Sequence, residues 1–176
     1  MSKTCIYLIG TNCSGKTSVA EALIDKLGGI KNYTDGVTYT YGGVAFAGKY
    51  SVKYGGVDNL NSTSVLRRVV SSAFRNVDTI ICEGVRLKTF GSNLTNAMFL
   101  ADRRYVFYLH VGYKELCRRL KVRSGREKPT TFTLHQYSEC FSSLKKWQSY
   151  GCNTAVFDTD KCSIDEIAEY IIKLIR

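Results

Sequence analysis

Short apolar runs alternate with amphipathic stretches along this chain, and the alternation predicts strands and helices in turn. Residues 4–9 form a continuous apolar run of the length of a buried strand. Residues 16–27 follow with apolar positions at helical spacing and stop at Gly28-Gly29. Residues 79–82 read as a second core strand that leads into Glu83-Gly84, and residues 105–111 as a third, followed by a basic helix over about 113–121. Residues 154–157 read as a fourth. Ser163 and Glu166 then form a capping box that opens a last helix, with Ile164, Ile167, Ile171 and Leu174 at helical spacing. Strand–helix alternation of this kind implies a parallel sheet flanked by helices. Residues 37–57 break the pattern. Residues 37–41 and 50–54 alternate like half-exposed strands among glycines, which predicts a small antiparallel insertion beside the sheet.

The chain has 176 residues, enough for one domain (1–176) with a core that needs no staples. It has 44% hydrophobic residues and a single Pro, which excludes collagen-like, disordered and coiled-coil classes. No apolar run approaches the ~20 residues of a membrane span, and the first strand begins too early for a signal peptide. Seven Cys, with no C-x-x-C and no zinc spacing, read as reduced thiols. The expectation is a cytoplasmic α/β protein with no membrane partner.

One motif changes the picture. Gly10-Thr11-Asn12-Cys13-Ser14-Gly15-Lys16-Thr17 matches G-x-x-x-x-G-K-[ST] at every fixed position. Its glycines let successive backbone N–H groups converge on phosphate oxygens, and the helix that starts near Lys16 adds its positive end. Lys16 can reach the β- and γ-phosphates, the Thr17 hydroxyl can ligate Mg²⁺, and Ser18 continues the first turn. Chance would supply the four fixed positions in fewer than roughly 1% of chains this long. A preceding strand and a following helix supply the context that a phosphate loop needs. The expected ligands are ATP and Mg²⁺.

GTPase guanine and switch motifs are absent, and the chain is too short for ABC-type or AAA-type ATPases. Small P-loop kinases remain. Their arginine-rich lid has a counterpart at about 118–130, where Arg118, Arg119, Arg123 and Arg126 cluster around Gly125. Phosphoryl transfer spreads charge over equatorial oxygens, and guanidinium groups stabilise it through planar contacts. The spacing resembles the lid of adenylate kinase-like enzymes. Glu83, at the carboxyl end of an apolar strand, is the candidate for ordering Mg²⁺. Asp58 and Asp35 are the candidates for accepting the acceptor hydroxyl's proton, with Asp58 ahead because Asp35-Gly36 is a strong turn signal. Cys13, inside the loop, is either an oxidation-sensitive thiol or an inert filler.

Gly48-Lys49-Tyr50 followed by Gly55-Gly56-Val57-Asp58, downstream of this loop, resembles the bacteriophage P-loop kinases of thymidine hypermodification, the 5-hydroxymethyluracil DNA kinases. The resemblance spans roughly residues 4–128. It implies γ-phosphate transfer to the hydroxymethyl group of a modified base in phage DNA. It also implies Asp58 as the base and Lys49 as a phosphate or substrate contact; Tyr50, Tyr54, Gly56 and Arg86 are further candidates on the substrate side. The formal charge of +10 suits a polyanionic partner. However, residues 103–128 alone hold nine Lys/Arg against two Glu, so part of the excess can serve ATP. A kinase acting on a free nucleoside or nucleoside monophosphate is the alternative.

Overall fold

The computed structural model describes residues 2–50 and 55–176. Seven strands form one sheet: β1 (Thr4–Ile9), β2 (Ile30–Thr34), β3 (Val37–Thr40), β4 (Val44–Ala47), β5 (Thr79–Glu83), β6 (Arg103–His110) and β7 (Asn153–Asp158). Their order is β2-β3-β4-β5-β1-β6-β7. The five from β4 to β7 run parallel, and β2 and β3 are added antiparallel at one edge. The helices are α1 (Lys16–Lys26), α2 (Leu66–Ala73), α3 (Ser92–Met98), α4 (Tyr113–Ser124), α5 (Thr131–Ser149) and α6 (Ile164–Ile175).

Two apolar layers hold the sheet. Along β1, Cys5, Tyr7 and Ile9 face a cluster with Leu66, Val70, Leu94 and Trp147, which belong to α2, α3 and α5. Ile6 and Leu8 point the other way, onto Val19 and Leu23 of α1 and Ile167 and Ile171 of α6. Every residue of β1 is buried, because a parallel strand covered on both faces has no side for water. Burying each large side chain contributes about 1.5–3 kcal/mol. Tyr7 satisfies its hydroxyl on the Leu94 carbonyl at 2.9 Å and meets Trp147 edge-on, with centroids 5.6 Å apart.

The four core strands and the last helix lie where the pattern places them, within one or two residues at each end, and Ser163 and Glu166 form the full capping box. The expected antiparallel addition is present at the sheet edge, where β3 pairs antiparallel with β2 and β4, but it starts earlier, at Ile30, and is continuous with the sheet through β4, a parallel member paired with β5. Contrary to expectation, β3 is not half-exposed, since all four of its residues are buried. Of the second expected strand, Tyr50 is not in a strand, and residues 51–54, including Tyr54, lie outside the described residues. The helical pattern of α5, the longest element described, went unpredicted. All seven cysteines are unpaired, as expected of reduced thiols. No helix among the described residues is long and apolar enough to cross a membrane.

Candidate active site

The carboxyl ends of β1, β4 and β5 meet at one edge of the sheet, where the crossover connections leave room for a ligand. The loop 10–17 leaves β1 there. Gly15 sits at φ 94°, a left-handed value that a side chain would strain, and α1 begins at the next residue. Cys13 also takes a positive φ, 61°, which turns the loop back on itself. The helix start leaves its first N–H groups free to meet an anion.

A cavity of about 730 Å³ opens over this loop. Asn12, Cys13, Gly15, Lys16, Thr17 and Ser18 line it, whereas Gly10, Thr11 and Ser14 lie behind as the buried back of the loop. Lys16 is only 6% exposed, and its Nζ donates to the carbonyls of Gly10 at 3.1 Å and Thr11 at 2.7 Å. Burial lowers the affinity of this amine for its proton, and the neighbouring Glu83 opposes that.

Glu83 ends β5 and is 2% exposed. Burial pushes its carboxyl up to about 7; Lys16 pulls down against this, Asp58 adds to it, and the Thr17 and Tyr50 hydroxyls pull down. The Thr17 hydroxyl lies 3.4 and 3.5 Å from its two oxygens. Gly56, at φ 79°, packs its backbone against Glu83 so tightly that a Cβ would collide with the carboxylate. Gly56 therefore walls Glu83 in, a role the sequence does not show. The Tyr50 hydroxyl is buried beside the same carboxylate without a hydrogen bond of good geometry.

Among the described residues no group of three or more His, Cys, Asp or Glu could enclose a metal. Thr17 and Glu83 are instead a two-oxygen set facing the cavity. That fits Mg²⁺, which takes one or two protein oxygens and completes its shell with phosphate and water.

Asp58 lines the cavity across from the loop. It sits in a tight helical turn, Val57–Asn59, and its carboxylate accepts the N–H groups of Val85 at 2.9 Å and Arg86 at 3.2 Å. Those amides open the turn Val85–Lys88 that follows β5, so the carboxylate is fixed beside Glu83. Asp35 is elsewhere. It occupies the β2–β3 hairpin turn at φ 52° and is not among the cavity's lining residues. Its turn geometry prevails over the catalytic expectation.

The lid arginines separate into different roles. Arg119 is half-buried and committed: it binds Glu115 at 2.8 Å, the Cys13 carbonyl at 3.3 Å, and Thr159 through both its hydroxyl and its carbonyl. It thus braces the loop at Cys13 while lining the cavity itself. Arg118 forms two 2.7 Å bonds to Glu115, and Arg123 lies 3.7 Å from the Cys13 sulfur at the cavity wall. Arg126 lies past the helix end at Gly125, exposed and outside the lining. The structure does not bring it to the loop.

On the acceptor side, Arg86 lines a shallower depression of about 450 Å³ that shares Val85 with the main cavity. Its guanidinium donates to the Leu60 carbonyl at 2.7 Å. Lys49 is exposed, with its amine 5.8 Å from the Tyr33 ring, and does not line either cavity. Residues that motif reasoning missed are on α5. Gln136 accepts the Asn12 N–H at 2.8 Å, and Cys140 is buried one turn further along the same helix.

A parallel sheet of order β4-β5-β1-β6-β7, a phosphate loop after its central strand and an arginine-bearing helix over that loop define the fold of the small P-loop kinases. Solved structures agree. The YorR protein of Bacillus subtilis in complex with phosphorylated GDP is 19% identical, with 97% of this chain and 95% of that chain covered and a TM-score of 0.53. A sugar kinase from a Janibacter species is 15% identical over 98% and 94% of the two chains, with a TM-score of 0.60. A deoxyadenosine kinase from M. mycoides with bound dCTP is 14% identical over 97% and 98%, with a TM-score of 0.50. No family model and no curated protein sequence matches the chain.

Proposed function

We propose that the protein is an ATP-dependent kinase that transfers the γ-phosphoryl group to an alcohol on a small acceptor, a nucleoside or nucleoside monophosphate. One observation carries this reading. Lys16, Thr17, Asp58 and Glu83, drawn from three separate stretches of sequence, face one cavity of about 730 Å³.

The phosphate chain of ATP would lie along loop 10–17, with Lys16 leaving its own loop carbonyls to meet the β- and γ-oxygens. Thr17 and Glu83 would hold Mg²⁺, which neutralises charge on those oxygens. Asp58 takes the proton of the acceptor hydroxyl as that oxygen bonds to the γ-phosphorus and the bond to the ADP oxygen breaks. Its two amide partners keep the carboxylate aimed while leaving lone pairs for the incoming proton. Arg123 stands at the cavity wall, where it can stabilise the migrating group.

The test is a screen with γ-labelled ATP against free nucleosides, nucleoside monophosphates, unmodified DNA and DNA containing 5-hydroxymethyluracil. The expected outcome is label on a free nucleoside or monophosphate. Asp58→Asn is expected to lower that rate by about 10²–10⁴-fold while ATP binding persists. Transfer to none of these acceptors, with folded protein, overturns the reading.

A second reading places the same hydroxyl on 5-hydroxymethyluracil in DNA, and one surface feature favours it. Cations lie beside rings on the described surface. Lys146 lies 5.9 Å from Phe90. Phe90 and then Phe99 pack on Tyr150, with centroids 5.0 and 6.3 Å apart, and Arg104 sits 4.3 Å from Phe99. Tyr150 and Phe99 are exposed, and rings flanked by cations suit bases and phosphates of a strand. Label on the modified DNA alone would select this reading.

A further inference from the structure

Gln136 is fully buried on α5, the helix that follows the lid segment. Its neighbours on the inward stripe, Cys140, Ser143 and Trp147, recur at helical spacing and pack into the core. A buried carboxamide is costly unless it is hydrogen-bonded. This one satisfies its oxygen on the main-chain N–H of Asn12 at 2.8 Å, and its nitrogen has no hydrogen-bond partner among the described residues. The next residue of the loop is held from the other side, where Arg119 of α4 donates to the Cys13 carbonyl at 3.3 Å. The sharpest part of the phosphate loop is therefore clamped by the two helices that bracket residues 125–130. One turn along α5, Glu139 pairs at 2.5 Å with Lys88, on the turn whose amides hold Asp58.

We infer that Gln136 is a positioning residue for the phosphate site: by holding the Asn12 amide it sets the curl of the loop and ties the loop to the helix behind the lid. Through the Glu139–Lys88 pair the same helix also fixes the distance between the donor loop and the acceptor carboxylate. Preorganised amides stabilise a phosphate without reorganising when it arrives, which gives the clamp its value. The inference rests on the ATP-binding reading above.

The experiment compares wild type with Gln136→Met, similar in length but without the acceptor, and Gln136→Glu, which keeps an acceptor oxygen. Binding of Mg²⁺–ATP and of inorganic tripolyphosphate is followed by calorimetry, beside the melting temperature of each protein. Gln136→Met is expected to weaken both ligands about tenfold and equally, since the loss is at the phosphates and not at the base. Gln136→Glu keeps the acceptor but adds a buried negative charge beside the phosphates, so it is expected to recover most of that loss only at acid pH, where the carboxyl is protonated. If Gln136→Met does not fold, Gln136→Asn, one methylene too short to reach Asn12, carries the same expectation. Unchanged affinities with a lowered melting temperature would make Gln136 merely structural and overturn the inference, as would a Glu variant no better than Met at acid pH. A wild type that binds neither ligand would instead overturn the ATP reading itself.

Discussion

Glu83 shows at the scale of one residue how folding sets chemistry. The carboxylate is the last residue of a strand buried on both faces, and Gly56 closes it off further. Burial raises its affinity for a proton, so the folded chain keeps one up to about pH 7, where the unfolded chain has released it near the ordinary 4.5. Its contribution to stability is therefore full below pH 4.5 and lost as pH rises through about 7. Metal binding needs the opposite, ionised form. Phosphoryl transfer is expected to fall on the acid side with a midpoint near 7, and raising Mg²⁺ is expected to move that midpoint lower, because the cation competes with the proton. A rate–pH profile at two Mg²⁺ concentrations measures both. A midpoint that ignores Mg²⁺ would remove Glu83 from the metal site.

At the scale of elements, four lid arginines that look equivalent in sequence are not equivalent in the fold. Arg119→Ala removes contacts to Cys13, Thr159 and Glu115 at once, and its loss is expected to cost about 1–3 kcal/mol in urea unfolding. Arg118 is two-thirds exposed at its side chain and among the described residues binds Glu115, so Arg118→Ala is expected to stay within about 0.5 kcal/mol. The motif G-x-x-x-x-G-K-[ST] was legible because phosphate binding dictates both residue types and spacing. The core strands were legible because parallel strands read as apolar runs. β2 was not, since all five of its residues are exposed and carry no alternation. α5 was hidden for a related reason: its buried stripe contains Gln136, Cys140 and Ser143, which do not register as an apolar face. Asp58 stands out in the sequence only by its neighbouring glycines; its amide partners lie more than twenty residues away, and only the fold supplies them.

Across the whole molecule, the phosphate site conflicts with unliganded stability. Lys16 is buried against carbonyls of its own loop, and burial lowers its proton affinity, so the fold disfavours the charge that the proposed transfer requires. On that reading, ATP would supply the missing counter-charge and bind only the folded chain. At a ligand concentration 100 times its Kd, this linkage adds about 2.7 kcal/mol, which for a chain of this size raises Tm by about 5–10 °C. Lys16→Met removes the buried cation and fills its volume with an apolar chain. Its unliganded Tm is expected to be no lower than that of wild type, and its ATP-dependent shift is expected to vanish. Differential scanning calorimetry with and without Mg²⁺–ATP separates the two quantities. A variant that kept the full shift would place the triphosphate away from loop 10–17, and a variant that lost several degrees without ligand would mean that Lys16 is held for the fold.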